Sequence, residues 1–231
     1  MFLRRGVAPR RATMSALAIG RTIKLNLNGT PWDWLVVNQG LPSSIYDTSC
    51  DGTWLLLKDV YENRQWNSTN TNNPANSTIH SYLNGSFLSL FDANILNSIK
   101  QVKVPYRNGG GSGGTDQIGA NGLTTKVFLL SSREVGFTNS VGQSSEDGAA
   151  LDYFDGATNS TRIAQLNGAA NSWWLRSPTK SYTTYVLYVG ADGDSGLRGA
   201  TTSQGIRPAI ILPSDMLTTD DMLTTDDMLA A

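Results

Sequence analysis

Apolar and polar residues alternate from Ile23 to Leu27, the two-residue period of a half-buried strand. Asn28-Gly29 follows, a dipeptide suited to a tight hairpin turn. Trp32 to Val37 then reads as the returning strand, and Thr53 to Leu57 as a third, after the turn signal Cys50-Asp51-Gly52. Together they predict an antiparallel meander. Next the period lengthens. Ser77 or Thr78 is placed to cap a helix carrying Ile79, Tyr82, Leu83 and Phe87, with Asn84-Gly85 as its break. Leu88, Phe91, Ile95 and Ile99 predict a second helix over 88–99. Val102 to Tyr106 and Lys126 to Leu130 read as strands, and Ser131-Ser132-Arg133-Glu134 as a short helical turn. The Gly-rich run 108–114 between those strands predicts a flexible loop.

The last third returns to strands: Trp173 to Arg176, Thr184 to Val189 and Ile206 to Leu212, with a turn at Ala191-Asp192-Gly193-Asp194. Two motifs bracket this region, Trp173-Trp174-Leu175-Arg176-Ser177-Pro178 and Gly205-Ile206-Arg207-Pro208-Ala209. Between them lies a stretch rich in Tyr, Thr, Ser, Gly and Asp, the mixture that binding loops favour: Tyr gives stiff amphipathic contact area, and small polar residues adapt their hydrogen bonds. The expected contact residues are Tyr182, Thr184, Tyr185, Tyr188, Asp192, Asp194 and Arg198, within a recognition surface spanning 181–204. Side chains alternate across a strand, so these seven cannot all share one face, and only one of Trp173 and Trp174 is expected to point fully inward. The expected frame is Trp173, Trp174, Arg176, Gly205, Arg207 and Pro208, with both guanidiniums fixing loop ends by structural pairing.

Composition narrows the class. The 231 residues allow one sizeable core. Charged residues make up 16%, below the usual quarter, and 23 glycines suit a turn-rich β fold better than a helical bundle. A formal net charge of −1 provides no general attraction to nucleic acid. No run of apolar residues is long enough for a membrane span. Residues 1–21 read as a disordered or extended arm: Arg4, Arg5, Arg10 and Arg11 have no acid beside them and no apolar signal core follows. A solvated basic tail is preferred to a transit peptide, with Met14 as the natural start. Residues 22–213 form the expected domain. In 214–231, Asp215-Met-Leu-Thr-Thr-Asp220 repeats as Asp221-Met-Leu-Thr-Thr-Asp226 and a third copy begins, which predicts a disordered acidic tail or a partner-binding peptide with Met-Leu anchors.

Catalytic and metal chemistry find few residues. With Cys50 the only cysteine, no internal disulfide forms, and with His80 the only histidine no His-rich metal site exists. A Cys50/His80 nucleophilic pair is conceivable but has no supporting third group. Glu146-Asp147 and Asp152/Asp155 are carboxylate pairs, with nothing to set them across a cleft. Asp192-Gly193-Asp194-Ser195-Gly196 is half a calcium loop without its closing Glu, and is read as a turn. The Gly-rich run lacks the Gly-Lys-Ser/Thr ending of a phosphate loop. No cofactor, no metal and no enzymatic activity are expected.

Several segments resemble a domain family common in gut-associated bacteria and their phages. They are 32–37, 53–59, 82–84, 104–106, 128–131 with Glu134-Val135, 151–154, and the two C-terminal motifs. That family is similar to C-type-lectin-like and formylglycine-generating-enzyme-like domains. The C-terminal pair also resembles the variable proteins of diversity-generating retroelements, which use a C-type-lectin-like fold to hold a hypervariable patch. The resemblance implies an α+β, C-type-lectin-like fold, β-rich with two short helices and long loops. It implies a ligand-binding module, such as a phage tail or host-attachment protein, that meets a protein or glycan on a cell surface. Its place would be a virion or a bacterial surface, with the cytoplasm also open. The alternatives are a structural virion or assembly protein that packs subunits through 214–231 as a homo-oligomer or against virion neighbours, and an enzyme related to formylglycine-generating enzymes.

Overall fold

A computed structural model describes residues 11–138, 142–143 and 146–223. The alternating segments form the strands their pattern implies. Strands β1 (Thr22–Leu27) and β2 (Thr30–Gln39) pair in antiparallel register around Asn28 and Gly29, whose φ values of 51° and 74° are those of a type I′ turn. Strand β3 (Thr53–Leu57) pairs with β2, completing the expected meander. The other strands of the two main sheets are β4 (Glu62–Gln65), β5 (Phe128–Leu129), β6 (Trp173–Pro178), β7 (Tyr185–Val189), β8 (Ser195–Gly199), β9 (Ser203–Ile206) and β10 (Pro208–Leu212). They assemble two five-stranded sheets, in the orders β1-β2-β3-β10-β5 and β8-β7-β6-β9-β4. Every pairing in these sheets is antiparallel except β6 with β9, which is parallel at Trp173 and Gly205. Three two-stranded ribbons and short helices fill the connections. The fold is therefore α+β and predominantly β. Among the described residues no helix is long and apolar enough to cross a membrane.

The strand predicted over 206–212 is two strands in different sheets. Pro208 has no N–H with which to continue the β9 ladder, and the chain crosses at Arg207 from one sheet to the other. The segment 126–130 keeps only Phe128–Leu129 as strand, and the segment 102–106 is divided at Pro105.

Helix α1 (Thr78–Tyr82) starts where expected: the Ser77 hydroxyl accepts from the His80 amide. Asn84-Gly85 does not break it, because the chain continues as a wider turn over Leu83–Phe87. The second predicted helix is shorter than its pattern. It is reduced to α2 (Ala93–Ser98), since Phe91 turns extended to bridge to Leu27 and packs its ring on Trp34 and Phe87, 5.5 and 5.9 Å away. Tertiary pairing outweighs the helical period there.

The strands shared between layers are buried on both faces. Leu55 and Leu57 join one apolar cluster, with Trp34, Phe87 and Trp174, while Trp54 and Leu56 join a second, with Phe128, Trp173 and Leu187. This corrects the expectation for the paired tryptophans. Trp173 and Trp174 do point to opposite faces, but each face meets a core, and both are fully buried.

Two segments expected to lie outside the domain are part of it where they are described. Met14 is fully buried in the first cluster, and the Gln39 side chain donates to the carbonyls of Met14 and Leu17. Thr13 bridges to Leu217, and the buried Thr218 hydroxyl bonds the Ala12 backbone. Met216 packs on the same cluster and Met222 lies inside it. Met216 and Met222 of the repeat thus pack in this chain's own core, and the chain from Ala12 to Leu17 packs with them. Residues 1–10 of the arm and 224–231 of the tail lie outside the described residues.

Candidate recognition site

The frame is built on two buried arginines. Arg176, on β6, forms a two-pronged ion pair with fully buried Glu134 at 2.5 and 2.6 Å and donates to the carbonyls of Pro105, Leu129 and Asp147, each at 2.9 Å. Every nitrogen of its fork is engaged, so it ties four residues distant from it in the chain and offers no donor to a ligand. Arg207, at the crossover, donates to the carbonyls of Leu57 and Lys58 and lies 4.9 Å over the Trp173 ring. Burial pushes its pKa down to about 10, and its Nη1 has no partner. Gly205 is required by packing: a Cβ there would stand 2.6 Å from Val60 Cγ1 and 2.7 Å from the Ser172 carbonyl oxygen.

Beyond the frame, 179–185 forms a loop whose backbone is held from beneath by a residue the sequence did not single out. Asn72, 2% exposed, donates from its amide nitrogen to the carbonyls of Tyr182 and Tyr185 at 2.7 and 2.8 Å, and its Oδ1 accepts from the Gly110 amide at 3.0 Å. One side chain thus binds three points on two loops and uses its three strongest bonding positions. Thr179 adds a reciprocal pair with Tyr182 backbone atoms. The Gly-rich loop, expected to be flexible, is packed against this backbone. A Cβ on Gly110 would fall 1.9 Å from the Tyr182 carbonyl oxygen, and Arg107 donates to the carbonyl of Gly114 at 2.6 Å. Above this support the rings of Tyr182 and Tyr185 stand 54% and 40% exposed, edge to face at 5.5 Å.

The seven expected contact residues fall into two groups. Tyr182 and Tyr185 form the tip, with half-buried Thr184 between them, whose carbonyl accepts from Ala200 N. Tyr188, Asp192 and Arg198 come together elsewhere, in an open groove of about 640 Å³ also lined by Ser172, Gly190 and Gln204. The split follows from strand alternation. On β7, Tyr185 shares its face with Leu187 and Val189, whereas Tyr188 packs edge-on against Trp174 on the other. Arg198 pairs opposite Val186 on the Tyr188 face, with its guanidinium 5.8 Å from that ring. Asp194 is spent on the turn, its carbonyl accepting from Gly190 N and its carboxylate from Ser195 N. Nothing in a local pattern marks Asn72. The Asn73-Pro74 turn beside it was the nearest signal, because it fixes the direction in which the chain leaves.

Catalytic possibilities are placed as follows. Cys50 is buried and donates to the Lys103 carbonyl at 3.3 Å, and burial pushes its thiol up to about 12, away from the reactive thiolate. His80 lies beside Asn84, its Nδ1 3.4 Å from the amide nitrogen, and burial lowers its pKa. No cluster of three or more His, Cys, Asp or Glu arranged to hold a metal occurs among the described residues. Asp147 is fully buried: one carboxylate oxygen accepts from Ser177 and the other has no partner among the described residues. Burial raises its pKa to about 6, against the lowering effect of Ser177 and Arg176.

A family model described as a domain of unknown function, DUF6273, matches residues 51–214. That span runs from just before β3 to just past β10 and contains Asn72, the tip and the groove, while β1 and β2 lie outside it. No curated protein and no solved structure matches the chain.

Proposed function

The chain belongs to the DUF6273 family, and from the tyrosine tip on its rigid support we propose that it is a ligand-binding display module. The observation that carries this reading is the Asn72 staple. A buried amide spends its bonds on holding two exposed aromatic residues in one geometry. Two tyrosines ordered before contact lose little entropy on binding, the condition under which a small patch gains affinity. The ligand is a protein or glycan on a cell surface, met through ring faces and phenol hydroxyls, without a metal or other cofactor. We assign the module a C-type-lectin-like architecture. In support, the two ends of the described chain are paired at Thr13 and Leu217, and the tip and groove gather in the loop-rich C-terminal third. The setting proposed is a phage particle or a bacterial surface.

The test is a binding screen of the fluorescently labelled full chain against a glycan microarray and intact bacterial cells, run beside Tyr182→Ser/Tyr185→Ser. Saturable binding that the double variant loses, at an unchanged melting temperature, is the expected result. Binding that survives the loss of both rings, or no saturable binding at all, would contradict the proposal.

A further inference from the structure

Among the described residues nothing pairs with the outer edge of the second sheet. Strand β8 is terminal in its sheet and pairs along its whole length with β7, from Ser195–Val189 to Gly199–Tyr185, with no register shift. It contains no Pro and no bulge, and its one charged side chain is Arg198. The hydrogen bonds Gly190 N to Asp194 O and Ala200 N to Thr184 O set the phase of the ladder at both ends. Residues 194, 196, 198 and 200 therefore turn their backbone groups toward β7, and 195, 197 and 199 turn theirs outward. Of the outward groups, Ser195 N is taken by the Asp194 carboxylate, and the Gly199 carbonyl accepts from Thr202. Among the described residues that leaves the Leu197 N–H and carbonyl, the Ser195 carbonyl and the Gly199 N–H without a partner.

These free groups match those of a second copy. We propose that the chain forms a two-fold homodimer by antiparallel pairing of β8 with β8 of its partner, centred on Leu197. In that register each Leu197 N–H meets the other Leu197 carbonyl and each Gly199 N–H meets the other Ser195 carbonyl, so all the free groups are used and the two already engaged are not needed. The side chains fit the same centre. Arg198 comes opposite Gly196 of the other copy, and Gly196 lies directly over the Tyr188 ring, where a Cβ would be 2.5 Å away. The guanidinium of one copy thus enters the groove holding Tyr188 and the exposed Asp192 of the other, cation to carboxylate and cation to ring, twice by symmetry. On the opposite face Leu197 of one copy meets Leu197 of the other across the apolar hollow lined by Leu187, Ser195, Gly196 and Leu197. Each copy carries its own tyrosine tip, so the dimer presents the tips in pairs and two weak contacts act together.

Sedimentation equilibrium of the full chain tests this. A reversible monomer–dimer equilibrium is expected. Leu197→Pro removes two of the four intermolecular bonds without touching the β7 ladder, and should raise the dissociation constant roughly thirtyfold. Arg198→Asp alone should weaken the dimer, and adding Asp192→Arg should restore it, which guards against a folding defect in the proline variant. A monomer at every concentration, a dimer indifferent to Leu197→Pro, or a charge exchange that restores nothing would overturn the proposal. A monomer whose β8 amides are protected by an added extended peptide would likewise reject self-pairing.

Discussion

Single buried polar residues decide how firmly the C-terminal loops are held. Replacing Asn72 with Ala removes three hydrogen bonds and leaves the Gly110 amide and two carbonyls to find other partners. A loss of about 3 kcal/mol in urea unfolding is expected, at the usual net strength of such bonds. Glu134→Gln should cost about 3–5 kcal/mol by stranding the buried Arg176 charge. Asp147 gives a pH signature. Its folded pKa, about 6, is raised above the ordinary 3.8, so the folded state holds the proton more tightly. Its contribution to stability therefore falls as pH rises from about 4 to about 6, and is constant above, a loss on the order of 3 kcal/mol. Urea unfolding of Asp147→Asn measured across that window should lack this slope, and curves parallel to the parent would count against the assignment. Cys50 should resist a thiol reagent at pH 8 until the chain is unfolded, because burial raises its pKa to about 12. These residues were the least legible part of the sequence. Asn72 and Glu134 act across the chain on loops far away in sequence, and no local period encodes such contacts. Arg176 and Arg207 stand in the two motifs that bracket the display stretch, where structural pairing was expected because such loops need a rigid frame.

Elements followed the sequence where one face is polar and failed where both are buried or a distant partner intervenes. The β1–β2–β3 meander was readable because alternation and the Asn28-Gly29 turn agree. The Trp173-Trp174 pair misled because alternation says which way a side chain points, not whether water is there. Helix α2 lost its first turn to Phe91, whose partner Leu27 belongs to the first hairpin. The Gly-rich loop looked mobile by composition, yet the absence of a side chain at Gly110 is what lets it touch the Tyr182 carbonyl. Gly110→Ala is expected to lower the melting temperature by several degrees, as a Cβ cannot be accommodated there. The C-terminal repeat carries the clearest prediction for an element. Removing 214–231 takes Met216 and Met222 out of the core, so the truncated chain should be destabilised by about 2–5 kcal/mol. An unchanged melting temperature would show that these methionines are not anchors.

At the scale of the whole molecule, two sheets and two cores hold a C-terminal surface that divides into parts. The tip offers two tyrosines fixed from below, and the groove beside β8 offers an arginine, an aspartate and an open strand edge. The composition of residues 181–204 treated as one surface what the fold divides in two, because composition has no faces. The recognition proposed for the tip and the self-pairing proposed for the edge make separate demands, so variants of one should leave the other intact. Amide hydrogen exchange of the full chain, with and without the strongest binder found on the array, tests the central claim most directly. Slowed exchange at 179–185 and 109–111 on binding is the result the account predicts. Protection confined to other segments, with these two loops unchanged, would contradict it.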